Sequence, residues 1–164
     1  MRDERFEQVI SSVFNHEGGY VNDISDNGGE TKYGISKRCY PTIDIKSLTK
    51  EQAKAIYRKD FWEKYFYNKI IDINLASKVF NLAVNIGPQW AHRLLQRALR
   101  ATGQQGIIED GILGPATLSA VNNSNPENLI VALKSEAAGY YRAIVAVRID
   151  QRKFLNGWLN RAYS

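Results

Sequence analysis

The chain has 164 residues, of which 44% are hydrophobic and 24% charged, a composition that suits one globular domain or a domain with a small appended subdomain. Its 22 basic and 17 acidic residues give a net charge of +5, which favours polyanions such as nucleic acid, anionic lipid or acidic cell-wall polymers. No interleaved basic and aromatic pattern of a nucleic-acid module is present, so nucleic acid is not an expected partner.

Cysteine and histidine are scarce in this sequence. Cys39 is the only cysteine, which excludes an intramolecular disulfide, and it is predicted to be a small buried apolar residue. With only two histidines, His16 and His92, the sequence offers few ligands for a zinc site. We expect no metal or organic cofactor. Residues 1–5 lead directly into a helix without a signal-peptide pattern, and no run is long enough for stable membrane insertion.

The first predicted helix covers residues 3–17 and ends at Gly18 and Gly19. Glu17 therefore lies in its last turn, where the negative end of the helix dipole disfavours the ionised carboxylate. A glutamic acid that stays protonated near neutral pH has the property that a general acid requires. The alternative is a solvated residue at a helix end. The apolar face of the helix is formed by Phe6, Val9, Ile10, Val13 and Phe14.

A polar, glycine-rich segment follows and predicts one short hairpin between residues 20 and 35. It carries Asp26 and Thr31 after Glu17 in the chain. A carboxyl group at a helix end that faces a carboxylate and a hydroxyl is a working arrangement for glycoside hydrolysis. The acid protonates the leaving oxygen, while the other two groups hold a water molecule or stabilise the oxocarbenium charge.

Several motifs in this part of the chain occur together over about 20 positions. They are Glu17-Gly18-Gly19-Tyr20, Val21-Asn22-Asp23, Asp26, Gly28-Gly29-Glu30-Thr31 and Tyr33-Gly34-Ile35. This set resembles glycoside hydrolase family 108, the N-acetylmuramidases of phages and bacteria that are related to phage-type lysozymes. The resemblance implies that Glu17 is the catalytic acid and that Asp26 and Thr31 have auxiliary roles. Tyr20 and Tyr33, which lie within the same motifs, are expected to bind substrate.

Farther along the chain, Thr49 and Gln52 form a predicted capping box that opens a second helix over residues 50–66. Its aromatic stripe is predicted to be core, and saccharide stacking by Trp62 or Tyr65 is the alternative.

A third helix, over residues 74–86, ends at Gly87, and Pro88 opens a fourth that extends to residue 101. The apolar stripe of the fourth helix includes Trp90. The segment from Phe80 to Gln96 resembles the second signature of the same family. Asn85 in this segment is expected either to hydrogen-bond substrate acetamido groups or to cap the helix end.

The C-terminal part begins after a loop at Gly103 and Gly106. Residues 110–121 resemble the repeat of small peptidoglycan-binding modules, and they are predicted either to bind wall or to pack onto the catalytic helices. A long helix over residues 126–148 follows, with Val147 predicted on its core face, and a last helix starts near Asp150. We therefore expect a mainly α, lysozyme-like α+β fold: a helical bundle with one short β-hairpin beside the active-site cleft. A catalytic part over residues 1–102 and a C-terminal part over residues 103–164 are expected to pack as one unit.

The resemblance implies hydrolysis of the β-1,4 bond between N-acetylmuramic acid and N-acetylglucosamine in bacterial peptidoglycan. By analogy with phage-type lysozymes, we expect the configuration at the anomeric carbon to be inverted. One alternative is a lytic transglycosylase that acts on the same bond. Another is a non-catalytic protein that binds the wall or assists secretion. We expect a monomer that is made in the cytoplasm and acts in the periplasm or cell wall. Its release would then need another route, such as a holin pore.

Overall fold

The computed structural model describes residues 3–16, 19–23 and 29–164. The chain divides into two compact units, Met1–Asn68 and Lys69–Ser164. Most described residues are helical and a few form a small antiparallel sheet, which confirms the predicted mainly α class. The division predicted between residues 102 and 103 falls inside the second unit and stays a prediction. In the part of the chain that is described, no helix is both long and apolar enough to cross a membrane.

The first unit contains two α-helices and a three-stranded sheet among its described residues. In chain order they are α1 (Glu4–His16), β1 (Val21–Asp23), β2 (Gly29–Lys32), β3 (Ile35–Ser36) and α2 (Lys50–Tyr57). A π-helical turn, Arg58–Glu63, continues α2 without a break, and a short 3₁₀ turn follows at Tyr67–Lys69.

The amphipathic pattern of the first predicted helix is confirmed by α1. Phe6, Val9, Ile10 and Val13 are buried in the core of the first unit. Asp3 begins the helix, because its Oδ1 accepts a 3.2 Å hydrogen bond from the Phe6 N–H.

The second predicted helix starts as expected but does not continue as one α-helix to residue 66. The capping box is present, with the Gln52 N–H donating to Thr49 Oγ1 and the Thr49 N–H donating to Gln52 Oε1. The α-helix ends at Tyr57, and the π-helical turn admits an extra residue before Trp62. Trp62 is fully buried and its Nε1 donates to Asp3 Oδ2 at 2.9 Å, so the alternative of saccharide stacking by this residue is wrong.

The second unit consists of helices in the order α3 (Ile73–Ile86), α4 (Pro88–Ala101), α5 (Pro115–Asn123), α6 (Pro126–Val147) and α7 (Leu155–Tyr163). A 3₁₀ turn, Ile149–Phe154, joins α6 to α7. Helix α4 packs against α3 and α6, and α6 also packs against α7. Gly87 separates α3 from α4 with a φ of +89°, which a glycine adopts without steric cost, and Pro88 begins the next helix as predicted.

Three burial predictions are wrong. Trp90 is 40% exposed, because it lies on the outer edge of α4, where its ring packs on Tyr140 at 5.1 Å. Val147 is 84% exposed, because α6 ends at this residue. Cys39 is exposed, because it lies in an irregular turn after β3 rather than in a core element.

Lys78 is a buried cation in the second unit. Its Nζ donates to the carbonyl oxygens of Arg161 at 2.9 Å and of Ala162 at 2.6 Å, in the last turn of α7. Burial, together with the positive charges of Lys134 and Arg161, lowers the pKa of Lys78 to about 8. The side chain therefore ties α3 to carbonyls that α7 itself leaves without helical partners.

Candidate functional site

Of the three predicted catalytic residues, the structure describes only Thr31. Helix α1 spans Glu4–His16, so the described part of the helix ends one residue before Glu17, and the placement of Glu17 in the last turn stays a prediction. Glu17 itself and Asp26 lie outside the described residues. Strand β1 ends at Asp23 and β2 begins at Gly29, so Asp26 belongs to the connection between two paired strands.

Thr31 lies on β2, the central strand of the sheet. It is paired with Val21 on one side and with Ser36 on the other. Directly paired residues of neighbouring strands share one face of a sheet, so these three side chains project to the same side. Thr31 is half-buried, and its Oγ1 donates a long 3.4 Å hydrogen bond to the Gly29 carbonyl. Such a length indicates a weak bond that a water molecule or substrate group can replace.

Tyr20 directly precedes β1 and is 39% exposed. Its hydroxyl donates a 2.7 Å hydrogen bond to Glu30 Oε1, and this bond, with the negative charge of Glu30, raises the pKa of Tyr20. The phenol therefore keeps its proton, while the side chain remains partly open to solvent. Glu30 was not singled out from the sequence. The available signal was its position next to Thr31, because neighbouring residues of a strand project to opposite faces. Glu30 pairs with Asn22, so both side chains lie on the face opposite Thr31.

Tyr33 and Gly34 form the two-residue turn between β2 and β3. Their φ angles are +52° and +77°, and positive φ at both central residues is the requirement of a type I′ hairpin. The positive φ of Tyr33 is unfavourable for a residue with a side chain, and contacts made by Tyr33 offset this cost. Its ring packs edge-on against Phe14 of α1 at 5.7 Å, and its carbonyl accepts a 3.0 Å hydrogen bond from the Tyr57 hydroxyl. Tyr33 thus fixes the sheet to α1 and α2.

Asn85 lies in the second unit, one residue before the end of α3. Its side-chain amide donates to the Tyr141 hydroxyl, and its Oδ1 accepts a hydrogen bond from the Arg161 guanidinium. Both ends of the amide are therefore bonded to side chains of α6 and α7. These contacts differ from the helix-capping role that was the alternative at this position.

The motif over residues 110–121 is held by one buried amide, Gln96 of α4. Its Oε1 accepts the Gly111 N–H at 2.8 Å, and its Nε2 donates to Asp110 Oδ1 at 2.7 Å and to the Ile112 carbonyl at 3.0 Å. The same Nε2 lies 3.2 Å from Thr117 Oγ1. This network fixes the turn that precedes α5, and no local sequence pattern indicates this role for Gln96.

His92, one turn earlier on α4, is buried beside the same motif. Its Nδ1 lies 3.0 Å from the Gly111 carbonyl, and because a carbonyl only accepts, Nδ1 carries the hydrogen in this contact. Burial lowers the pKa of His92. Within residues 3–16, 19–23 and 29–164, no three His, Cys, Asp or Glu side chains group as metal ligands would.

Two family models match the chain. The model described as glycosyl hydrolase 108 matches residues 10–87, and the model described as a predicted peptidoglycan domain matches residues 90–163. The first match contains every predicted site residue from Glu17 to Asn85. Together the two matches support a peptidoglycan hydrolase of the glycoside hydrolase class.

Among solved structures, the chain is similar to the structure of Brucella abortus SagA. The two are 24% identical, the alignment covers 98% of this chain and 95% of that chain, and the TM-score is 0.73. This likeness shows the fold and confirms the mainly α, lysozyme-like class. No curated protein matches the chain. Residues 10–87 of the chain thus match the glycosyl hydrolase 108 family, and residues 90–163 match a predicted peptidoglycan domain.

Proposed function

We propose that the protein is an N-acetylmuramidase that hydrolyses the β-1,4 bond between N-acetylmuramic acid and N-acetylglucosamine in bacterial peptidoglycan. The observation that carries this proposal is the glycosyl hydrolase 108 match over residues 10–87, which contains the Glu17-Gly18-Gly19-Tyr20 motif at the end of α1. The predicted peptidoglycan domain at residues 90–163 supports the same polymer as substrate. The wall is then the place of action.

Glu17 acts as the general acid in this mechanism. The end of α1 at His16 supports the role, because the carbonyl end of a helix disfavours a neighbouring negative charge. A protonated Glu17 transfers its hydrogen to the glycosidic oxygen while the bond to the anomeric carbon breaks. The leaving sugar departs as an alcohol, and positive charge develops on the ring that remains.

Asp26 and Thr31 act on the other reactant, the water molecule. In an inverting reaction the carboxylate accepts a proton from a water that attacks the opposite face of the sugar ring. The weakly bonded hydroxyl of Thr31 on the central strand supports a role in orienting that water.

Substrate binding is assigned to Tyr20, Tyr33 and Asn85. The half-exposed ring of Tyr20, oriented by its bond to Glu30, suits contact with a sugar ring. Tyr33 contributes to substrate binding in two ways, by contact with the substrate and by keeping β2 in place. Asn85 binds an acetamido group by exchanging its bond to Tyr141 or to Arg161.

The test compares clearing of purified sacculi by the wild type, Glu17→Gln and Glu4→Gln. Glu17→Gln keeps the shape of the side chain but removes the transferable proton, so its rate should fall about 10²- to 10⁴-fold. Glu4→Gln is the matched control, because Glu4 is exposed in the first turn of the same helix, and its rate should stay unchanged.

Mass spectrometry of the products distinguishes the reaction types. Hydrolysis yields reducing ends, whereas anhydro-muropeptides would identify a lytic transglycosylase. Equal clearing by the wild type and Glu17→Gln would exclude Glu17 as the acid. A wild type that binds sacculi without clearing them would instead identify a non-catalytic wall-binding protein.

A further inference from the structure

The end of α6 and the 3₁₀ turn after it form an exposed surface of unusual composition, here called the 142–154 surface. Three large apolar side chains within eight residues are exposed there: Val147, Ile149 at 74% and Phe154 at 46%. Between residues 142 and 147, the exposed side of α6 includes Ala143 and Ala146 and carries no acid. A helix face that contacts only water is ordinarily polar or charged. The exposed apolar side chains here therefore indicate a surface that binds a partner.

The same surface is strongly basic. Its four cations, Arg142, Arg148, Arg152 and Lys153, are accompanied by one carboxylate, Asp150, for a net charge of +3. The carboxylate neutralises little, because its distance to Arg148 is 3.9 Å and both side chains are mainly exposed. More than half of the net charge of the chain is therefore concentrated in thirteen residues.

A stack of three aromatic rings connects this surface to a buried residue. The Phe154 ring stacks on Trp158 at 5.8 Å, and Trp158 stacks on the buried Tyr141 at 5.5 Å. Lys153 places its Nζ 5.0 Å from the centre of the Phe154 ring, so charge and apolar surface are in direct contact. Arg142 is oriented by Tyr163, whose hydroxyl lies 3.4 Å from both terminal nitrogens of the guanidinium.

We propose that the 142–154 surface binds the surface of a membrane that contains anionic phospholipid. A soluble polyanion would use the cations alone and leave Val147, Ile149 and Phe154 in water. A bilayer interface satisfies both features, since its headgroups attract Arg and Lys while its outer acyl region accepts apolar side chains. The binding is peripheral and uses side chains other than those assigned to hydrolysis.

The experiment measures co-sedimentation of the full chain with vesicles of phosphatidylglycerol and phosphatidylcholine in a 1:1 ratio, and with vesicles of phosphatidylcholine alone. We expect binding to the anionic vesicles and little to the neutral ones. The double variant Arg152→Glu/Lys153→Glu should lower the partition coefficient by more than about 25-fold, because each cation near the surface contributes about 5-fold. Its control, Lys46→Glu/Lys59→Glu, makes the same charge change at exposed lysines of the first unit and should lower binding only a few-fold.

The apolar contribution is tested with Val147→Ser/Ile149→Ser against Ile71→Ser/Ile108→Ser, which removes similarly exposed side chains elsewhere. The first pair should lose at least 10-fold in partition and the second pair should lose little. Equal losses in both charge variants, an unchanged partition for Val147→Ser/Ile149→Ser, or tighter binding to RNA or teichoic acid than to vesicles would each overturn the proposal. Glu17→Gln should bind vesicles like the wild type, so failure of the hydrolase assignment would be seen separately.

Discussion

Gly111 shows how one backbone position controls the turn before α5. Its φ is +78°, and a Cβ added there would lie 2.9 Å from Gln89 Cγ and 3.0 Å from the Gln89 carbonyl oxygen. The position therefore combines a left-handed backbone with contact against the backbone of α4. Gln96 holds the same residue through its N–H, so the turn has little freedom to move away.

Gly111→Ala should lower the free energy of unfolding by about 2–4 kcal/mol, because the left-handed strain and the overpacking add. Gly114→Ala is the matched control three residues later. Gly114 has a φ of −86°, and an added Cβ would meet only Ile112 Cγ2 at 3.9 Å, so the loss should stay below about 1 kcal/mol. Urea unfolding followed by circular dichroism measures both, and equal losses would contradict this account of the turn.

At the scale of elements, Lys78 couples α3 to the end of α7 and gives that coupling a dependence on pH. Below pH 8 the side chain is protonated in both the folded and the unfolded chain, so it contributes no slope. Between about 8 and its ordinary value of 10.5, the unfolded chain binds a proton that the folded chain has lost. The free energy of unfolding therefore rises with pH across this window, by at most about 1.4 kcal/mol per pH unit from this residue.

Lys78→Met should remove this rise, so that the free energy of unfolding of the wild type increases relative to that of the variant from pH 8 to pH 9.5. Lys69→Met, at an exposed lysine just before α3, is the control and should leave the pH dependence of the wild type unchanged. Urea unfolding at pH 7, 8.5 and 9.5 provides the measurement. Parallel curves for wild type and Lys78→Met would show that Lys78 does not lose its proton in the folded chain.

The elements that the sequence predicted well are those with local signals. The capping box at Thr49, the glycine at 87 and the proline that begins α4 each act within one turn of the chain, and each has its predicted role. The π-helical turn Arg58–Glu63 was missed, because it depends on Trp62 reaching Asp3, a contact between residues far apart in sequence.

Burial at the ends of elements was predicted less well, for a related reason. Val147 continues the apolar periodicity of α6, but a residue at the end of a helix has no neighbour on the following turn to cover it. Within the candidate site, the two glycines predicted that the first helix ends close to Glu17, and the polar segment predicted the hairpin that carries Thr31. The bonds that engage Asn85 come from Tyr141 and Arg161, 56 and 76 residues away, and no local pattern indicates them.

At the scale of the whole molecule, the net charge of +5 bears on the proposed substrate. Peptidoglycan carries the carboxylates of its peptides, and the attraction between them and a basic protein weakens as the Debye length shortens from about 30 Å at 0.01 M salt to about 10 Å at 0.1 M. The initial rate of sacculus clearing at low protein concentration should therefore fall several-fold over this range.

Sacculi whose carboxylates have been converted to amides provide the control for this prediction. Clearing of the amidated sacculi should depend little on salt, because the long-range attraction is absent. A rate that falls equally on both substrates would show that salt acts on the enzyme itself, and turbidity records both series.

The π-helical turn has a consequence for how the chain tolerates changes in length. An α-helix rotates by about 100° per residue, so deleting one residue between positions 58 and 63 would restore regular winding and turn Trp62 out of its pocket. Insertions would rotate it the other way. Among natural variants of this protein, loops should therefore gain and lose residues while the spacing from Tyr57 to Trp62 stays constant.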